Sequence, residues 1–115
     1  MFARTLLKAV LLVCTASVSV ASAAQAEPAT EIQLSYKDKK FEPAEIRVPA
    51  NTAIVIKLKN LSGAAMEFES KPLKVEKVIA AGTDAVINVR AQKPGKYLFV
   101  DEYNEDVAKG TLVVE

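Results

Sequence analysis

Gly95-Lys-Tyr-Leu-Phe-Val-Asp-Glu-Tyr-Asn-Glu-Asp-Val-Ala-Lys-Gly-Thr-Leu-Val-Val-Glu115 is the stretch that decides the fold. Tyr97 and Phe99 alternate with Leu98 and Val100, the period-two signature of a strand. Asp101, Glu102, Glu105 and Asp106 then crowd into a short acidic loop, and Thr111 to Val114 resume a β-rich run. Two strands presenting a polar loop at one end of a sandwich or barrel are a common platform for ligands.

The same pattern extends upstream. Lys93-Pro94-Gly95 is a tight turn, Ala85 to Arg90 alternates again, and Ala81-Gly82-Thr83-Asp84 turns the chain before it. Lys71-Pro72 interrupts the extended piece Ala64 to Ser70, which makes Leu73 to Ile79 an edge or crossover strand. In Ala53 to Lys59 the residues Ile54, Ile56 and Leu58 share one face, with Lys57 and Lys59 on the other. Phe41-Glu42-Pro43 and Glu45 to Pro49 read as one extended segment, because the residue before proline is pushed out of the helical region. Ile32, Leu34 and Tyr36 mark the first strand. About seven short strands with regular turn signals and no 3.6-residue periodicity predict an all-β sandwich. Any helix is expected to be a single turn near Glu105 to Ala108.

Residues 1–26 have the form of a secretory signal peptide. Arg4 and Lys8 give a basic start, Ala9 to Val20 is apolar, and Ala24-Gln25-Ala26 fits the small-residue cleavage rule. Cleavage before Glu27 takes 26 of the 115 residues and leaves 89 for one domain, 27–115, with one modest core. The leader places the mature protein in the periplasm. Cys14, the only cysteine, lies in this leader, and Val13 before it is not the small residue that a lipidation site requires.

The chain contains no histidine, and the mature part contains no thiol. Disulfide scaffolds, thiolate metal sites, Cys nucleophiles and Ser-His hydrolysis are therefore excluded. Without Arg4 and Lys8, 13 basic residues face 14 acidic ones, a net charge of −1. That balance recommends neither nucleic acid nor an anionic membrane as partner.

Several stretches, read together, resemble the cupredoxin fold: Phe41-Glu-Pro43, Arg47-Val-Pro-Ala-Asn-Thr52, Lys59-Asn60, Pro94-Gly-Lys-Tyr-Leu-Phe99 and Gly110-Thr-Leu-Val-Val114. Met66-Glu-Phe-Glu-Ser70, Leu73-Lys-Val-Glu-Lys77 and the acidic loop are similar to one branch of it, the EfeO-type cupredoxin-like domain and the small FtrB-like periplasmic components of bacterial iron-uptake systems. The resemblance implies a Greek-key sandwich and a periplasmic or membrane partner within such a system. It also puts Asp101 where a type 1 copper protein has its Cys and Asn104 where it has its second His. Ala108 falls near the Met position, and Met66 or Glu67 near the first His. With those donors replaced, a type 1 copper centre is not expected.

The carboxylates offer another chemistry. Oxygen donors suit hard cations such as Fe(III), and Cu(II) also accepts N/O sets. Glu67 and Glu69 are two apart in an extended segment and share a face, opposite Met66 and Phe68. The expected ligand set for iron or copper is Met66, Glu67, Glu69, Glu76, Asp101 and Glu102, with Met66 as a soft donor for copper. The plainer reading makes these glutamates a solvated face, paired with Lys71, Lys74 and Lys77 at the surface. Three functions follow: a metal-binding component of iron uptake, a ferroxidase-like partner in Fe(II) oxidation, and a metal-free adaptor for a membrane permease. The binding role ranks above the enzymatic one, because no His or Cys is present to hold a redox-active copper.

Overall fold

Alternation along the chain becomes two stacked sheets in the computed structural model, which describes residues 15–18 and 28–115. The leader expected over residues 1–26 falls outside the described residues except at 15–18, which carry no regular structure. The described residues form nine strands: β1 (Thr30–Lys37), β2 (Lys40–Glu42), β3 (Glu45–Val48), β4 (Ile54–Asn60), β5 (Met66–Ser70), β6 (Val75–Ile79), β7 (Asp84–Val89), β8 (Gly95–Asp101) and β9 (Lys109–Val114). One sheet runs β2-β1-β4-β7 and the other β3-β9-β8-β5-β6. The all-β sandwich is as expected.

The expected count of about seven strands is corrected to nine. The segment through Pro43 is two strands in different sheets: β2 pairs with β1, and β3 pairs with β9. Proline has no N–H to give to a ladder, so the chain leaves one sheet at Pro43 and joins the other two residues later. β6, the strand after Pro72, is indeed a sheet edge. Among the described residues the single helical turn covers Glu102–Asn104 rather than Glu105 to Ala108. It starts there because the Asp101 side chain accepts the Tyr103 N–H and caps it.

Period-two burial fills the space between the sheets. Ile54, Ile56 and Leu58 of β4 are buried, while Lys57 and Lys59 point to solvent. Four rings knit the end of the sandwich nearest the acidic loop: Phe41 lies 5.1 Å from Tyr36 and 5.0 Å from Phe99, and Phe99 stacks 5.2 Å from Phe68. Gly110, opposite Phe99 in the β8–β9 ladder, leaves room for that ring, since a Cβ there would lie 2.2 Å from it. Buried Asn60 ties down the β4–β5 turn. Its Nδ2 donates to the carbonyls of Ala64 (2.9 Å), Ile79 (3.1 Å) and Ala80 (3.2 Å). Its Oδ1 accepts from the Ser62 N–H and hydroxyl.

Candidate metal centre

The register of three strands decides which acidic side chains meet. β5 pairs antiparallel with β6, with Glu69 opposite Glu76 and Glu67 opposite Val78. Partners across a ladder share a face, so Glu67, Glu69, Glu76 and Val78 all stand on the outer side of this sheet. On the other flank β5 pairs with β8, where Phe68 faces Asp101 and Glu69 faces Val100. Asp101 therefore lies with Phe68 on the inner side. The chain turns at the end of β8, and Glu102 swings out over Glu67.

One oxygen from each of Glu67, Glu76 and Glu102 lies within 4.8 Å of the other two. A hard cation that bonds oxygens at about 2.0–2.6 Å spans up to about 4–5 Å between its ligands, so a single ion fits this gap. Glu76 and Glu102 are exposed, but Glu67 is only 8% exposed. No ion pair among the described residues involves any of these glutamates. The expected pairing with Lys71, Lys74 and Lys77 does not form, and Lys77 Nζ instead donates to the Val86 carbonyl at 3.1 Å.

Crowding of like charge shows in the acid strengths. Contacts with the Glu76 and then the Glu102 carboxyl, followed by burial and the charges of both, push Glu67 up to about 7. Glu69 is also raised, first by its contact with Glu102, then by burial and the Glu102 charge, against a small opposing effect of Lys71. Tyr103, in the turn beside Glu102, is raised by burial and by the adjacent Glu67. Carboxylates gathered without a cation hold a proton in its place.

Asp101 is fully buried. Its Oδ1 accepts the backbone N–H groups of Glu67 (3.0 Å) and Tyr103 (3.2 Å). Its Oδ2 accepts the Asn104 amide (2.9 Å) and the Tyr36 hydroxyl. Burial by itself would push this carboxyl up. The hydrogen bonds from Tyr36, the Glu67 N–H, Asn104 and the Tyr103 N–H outweigh it and hold Asp101 below its usual range. Burial, followed by the bond to Asp101 and its charge, keeps the Tyr36 phenol protonated far above its ordinary range.

Of the six expected ligands, the structure brings together Glu67, Glu76 and Glu102, with Glu69 beside them. Met66 and Asp101 are corrected. Met66 is wholly buried in the core opposite Ile79, on the face away from Glu67, and Asp101 spends both oxygens on hydrogen bonds. The sequence reading missed Tyr36 and Asn104 as the groups that fix Asp101. Tyr36 continues the inward face of Ile32 and Leu34, and that parity was the available signal.

The fold and its donor positions define a cupredoxin-like sandwich. A family profile described as Cupredoxin-like domain matches residues 8–114, and this chain belongs to that family. An uncharacterized protein of Rickettsia prowazekii (strain Madrid E) is 33% identical over 84 residues, covering 73% of this chain and 67% of that protein. Among solved structures, reduced auracyanin from Roseiflexus castenholzii has a TM-score of 0.63 at 19% identity, covering 76% of this chain and 98% of its own. The metal-binding domain of a Cu(I)-exporting P-type ATPase from Streptococcus pneumoniae D39, solved with Cu(I), has a TM-score of 0.64 at 18% identity. That likeness covers 74% of this chain and 84% of the other.

Proposed function

We propose that this protein binds a hard metal cation, with iron as cargo, through Glu67, Glu76 and Glu102, and serves as a periplasmic component of an iron-uptake system. The observation that carries the reading is that Glu67, a residue only 8% exposed, brings a carboxylate oxygen within 4.8 Å of those of Glu76 and Glu102, with no Lys or Arg paired to any of the three among the described residues. Uncompensated like charge is costly, and a cation bound by oxygens removes that cost. The leader-like residues 1–26 and the resemblance of Met66-Glu-Phe-Glu-Ser70 to iron-uptake components support the compartment and the pathway class.

The donor set does not fit a type 1 copper ion. Such a centre takes imidazole and thiolate donors. This chain has no His, and its one Cys is Cys14. Asp101, which the resemblance puts at the Cys position, is occupied by four hydrogen bonds. With Met66 on the opposite face, the cluster is an all-oxygen set, which ranks Fe(III) above copper.

The test is calorimetric titration of the secreted protein, free of His tags, with anaerobic Fe(II), Fe(III) delivered from a weak chelate, and Cu(II). The reading predicts saturable binding of one ion, lost in Glu67→Gln/Glu76→Gln/Glu102→Gln. No binding tighter than millimolar by any of the three ions contradicts it.

A second reading, a metal-free adaptor for a membrane partner, is favoured by one observation. Val78, Leu98, Tyr103 and Val107 are exposed apolar side chains on or beside the face that carries the glutamates. Retained partner binding by the triple variant would select this reading.

A further inference from the structure

Asp101 stands at a junction between the sheets that the proposed site does not itself use. The β5–β8 ladder ends at the pair Phe68 and Asp101, so the Glu67 N–H lies just beyond the last backbone acceptor of β8. The Asp101 side chain takes that N–H on Oδ1 and the Tyr103 N–H on the same oxygen. One atom thus pins the strand residue Glu67 and the turn that carries Glu102. Those are two of the three gathered carboxyls, and they come from segments 35 positions apart in the sequence. Oδ2 is fixed in turn by Asn104 within the turn and by Tyr36 from β1 of the opposite sheet.

We propose that Asp101 is the positioning residue of the carboxylate site: it holds the Glu67 and Glu102 side chains at ligand separation, and Tyr36 and Asn104 set its own orientation. The role rests on the metal-binding reading above. Asp101 touches no ion. By the resemblance of Pro94-Gly-Lys-Tyr-Leu-Phe99 it falls where type 1 copper proteins carry a thiolate ligand, and the carboxylate site it supports lies on the outer face of the sheet. Outer partners that orient metal ligands cost about 10–100-fold in affinity when removed.

The experiment compares Fe(II) affinity, measured anaerobically, in wild type, Tyr36→Phe, Asp101→Asn and Val89→Ala. Tyr36→Phe keeps the ring packed on Phe41, 5.1 Å away, and removes only the hydroxyl. Asp101→Asn keeps an oxygen for the two N–H groups but sets an amide against Asn104. Val89→Ala lowers stability from a buried position in the other sheet and serves as the control for a merely structural effect. Expected is a loss of about 10–100-fold in Fe(II) affinity in the first two variants at unchanged stoichiometry, and no loss in the control. In the metal-free protein, the Glu67 and Tyr103 amides should exchange with solvent faster in the same two variants. Affinity within twofold of wild type in both Tyr36→Phe and Asp101→Asn overturns the positioning role and leaves the site standing. Where the wild type prefers Fe(III) or Cu(II), the same comparison is made with that ion; should it bind none of the three tighter than millimolar, the site reading fails, and this role fails with it.

Discussion

Asp101 and Glu102 are neighbours in sequence, and the sheet sends them to opposite faces. Asp101 is buried with Phe68 on the inner side, whereas Glu102 joins Glu67 and Glu76 outside. Hydrogen bonds hold the inner carboxyl below its usual range, and contact with Glu76 and Glu102 pushes the outer Glu67 up.

The pH profile of the metal-free protein should bend in two directions. Glu67 is raised to about 7 in the fold from an ordinary value of 4.5. Its contribution to stability is therefore full below the unfolded value and lost as pH rises through about 7. Asp101 is lowered, so its contribution is present above the unfolded value of 3.8 and lost as pH falls below it. Thermal unfolding followed from pH 3 to pH 9 should show a maximum near pH 4, between the two unfolded values, and in Glu67→Gln the decline toward higher pH should be reduced. An undiminished alkaline decline in that variant would contradict the assignment.

Metal binding should oppose that decline. Deprotonated carboxylates are the ligands, so affinity should rise between pH 5.5 and pH 8, with protons released on binding. Glu67→Gln should lose at least about tenfold in affinity, because a ligand costs no less than the partners that orient it. Calorimetry in two buffers of different ionisation heat reads the proton release directly.

Gly110→Ala should destabilise the sandwich by about 1–3 kcal/mol, the usual cost of overfilling a packed core. The new methyl would meet the Phe99 ring at 2.2 Å and the Ala44 carbonyl at 3.1 Å, and the ring is held by its stack on Phe68. Urea unfolding gives the value. A change below about 0.5 kcal/mol would mean that Phe99 repacks freely.

Asn60→Ala should cost about 1–3 kcal/mol by leaving the carbonyls of Ala64, Ile79 and Ala80 without their shared donor. Amide exchange in the β4–β5 turn should quicken first, with metal affinity little changed because Asn60 touches none of the clustered glutamates.

Most of the sandwich was legible because strand burial writes itself as alternation. Ile54-Val-Ile-Lys-Leu-Lys59 reads correctly with no further information. The switch of sheets at Pro43 was not legible, since extended backbone looks alike in either sheet until its ladder partner is known. The site divides in the same way. Parity alone puts Met66 opposite Glu67, and it also puts Asp101 on the side of Tyr97 and Phe99. Asp101 enters the expected ligand set as an acidic neighbour at the same end of the sandwich, against that parity. The meeting of Glu76 with Glu67 depends on the β5–β6 register, and the reach of Glu102 depends on a turn capped by Asp101. Both are tertiary facts that residue spacing does not carry.

Mn(II), a hard paramagnetic cation, reports where such an ion sits on the protein. A site at Glu67, Glu76 and Glu102 predicts that, in nuclear magnetic resonance spectra with substoichiometric Mn(II), the amide signals of these three residues broaden away first. Signals of Ile54 and Val89, in the other sheet, should stay sharp. Broadening centred instead on Glu105 and Asp106, or spread evenly over the acidic surface, would contradict it.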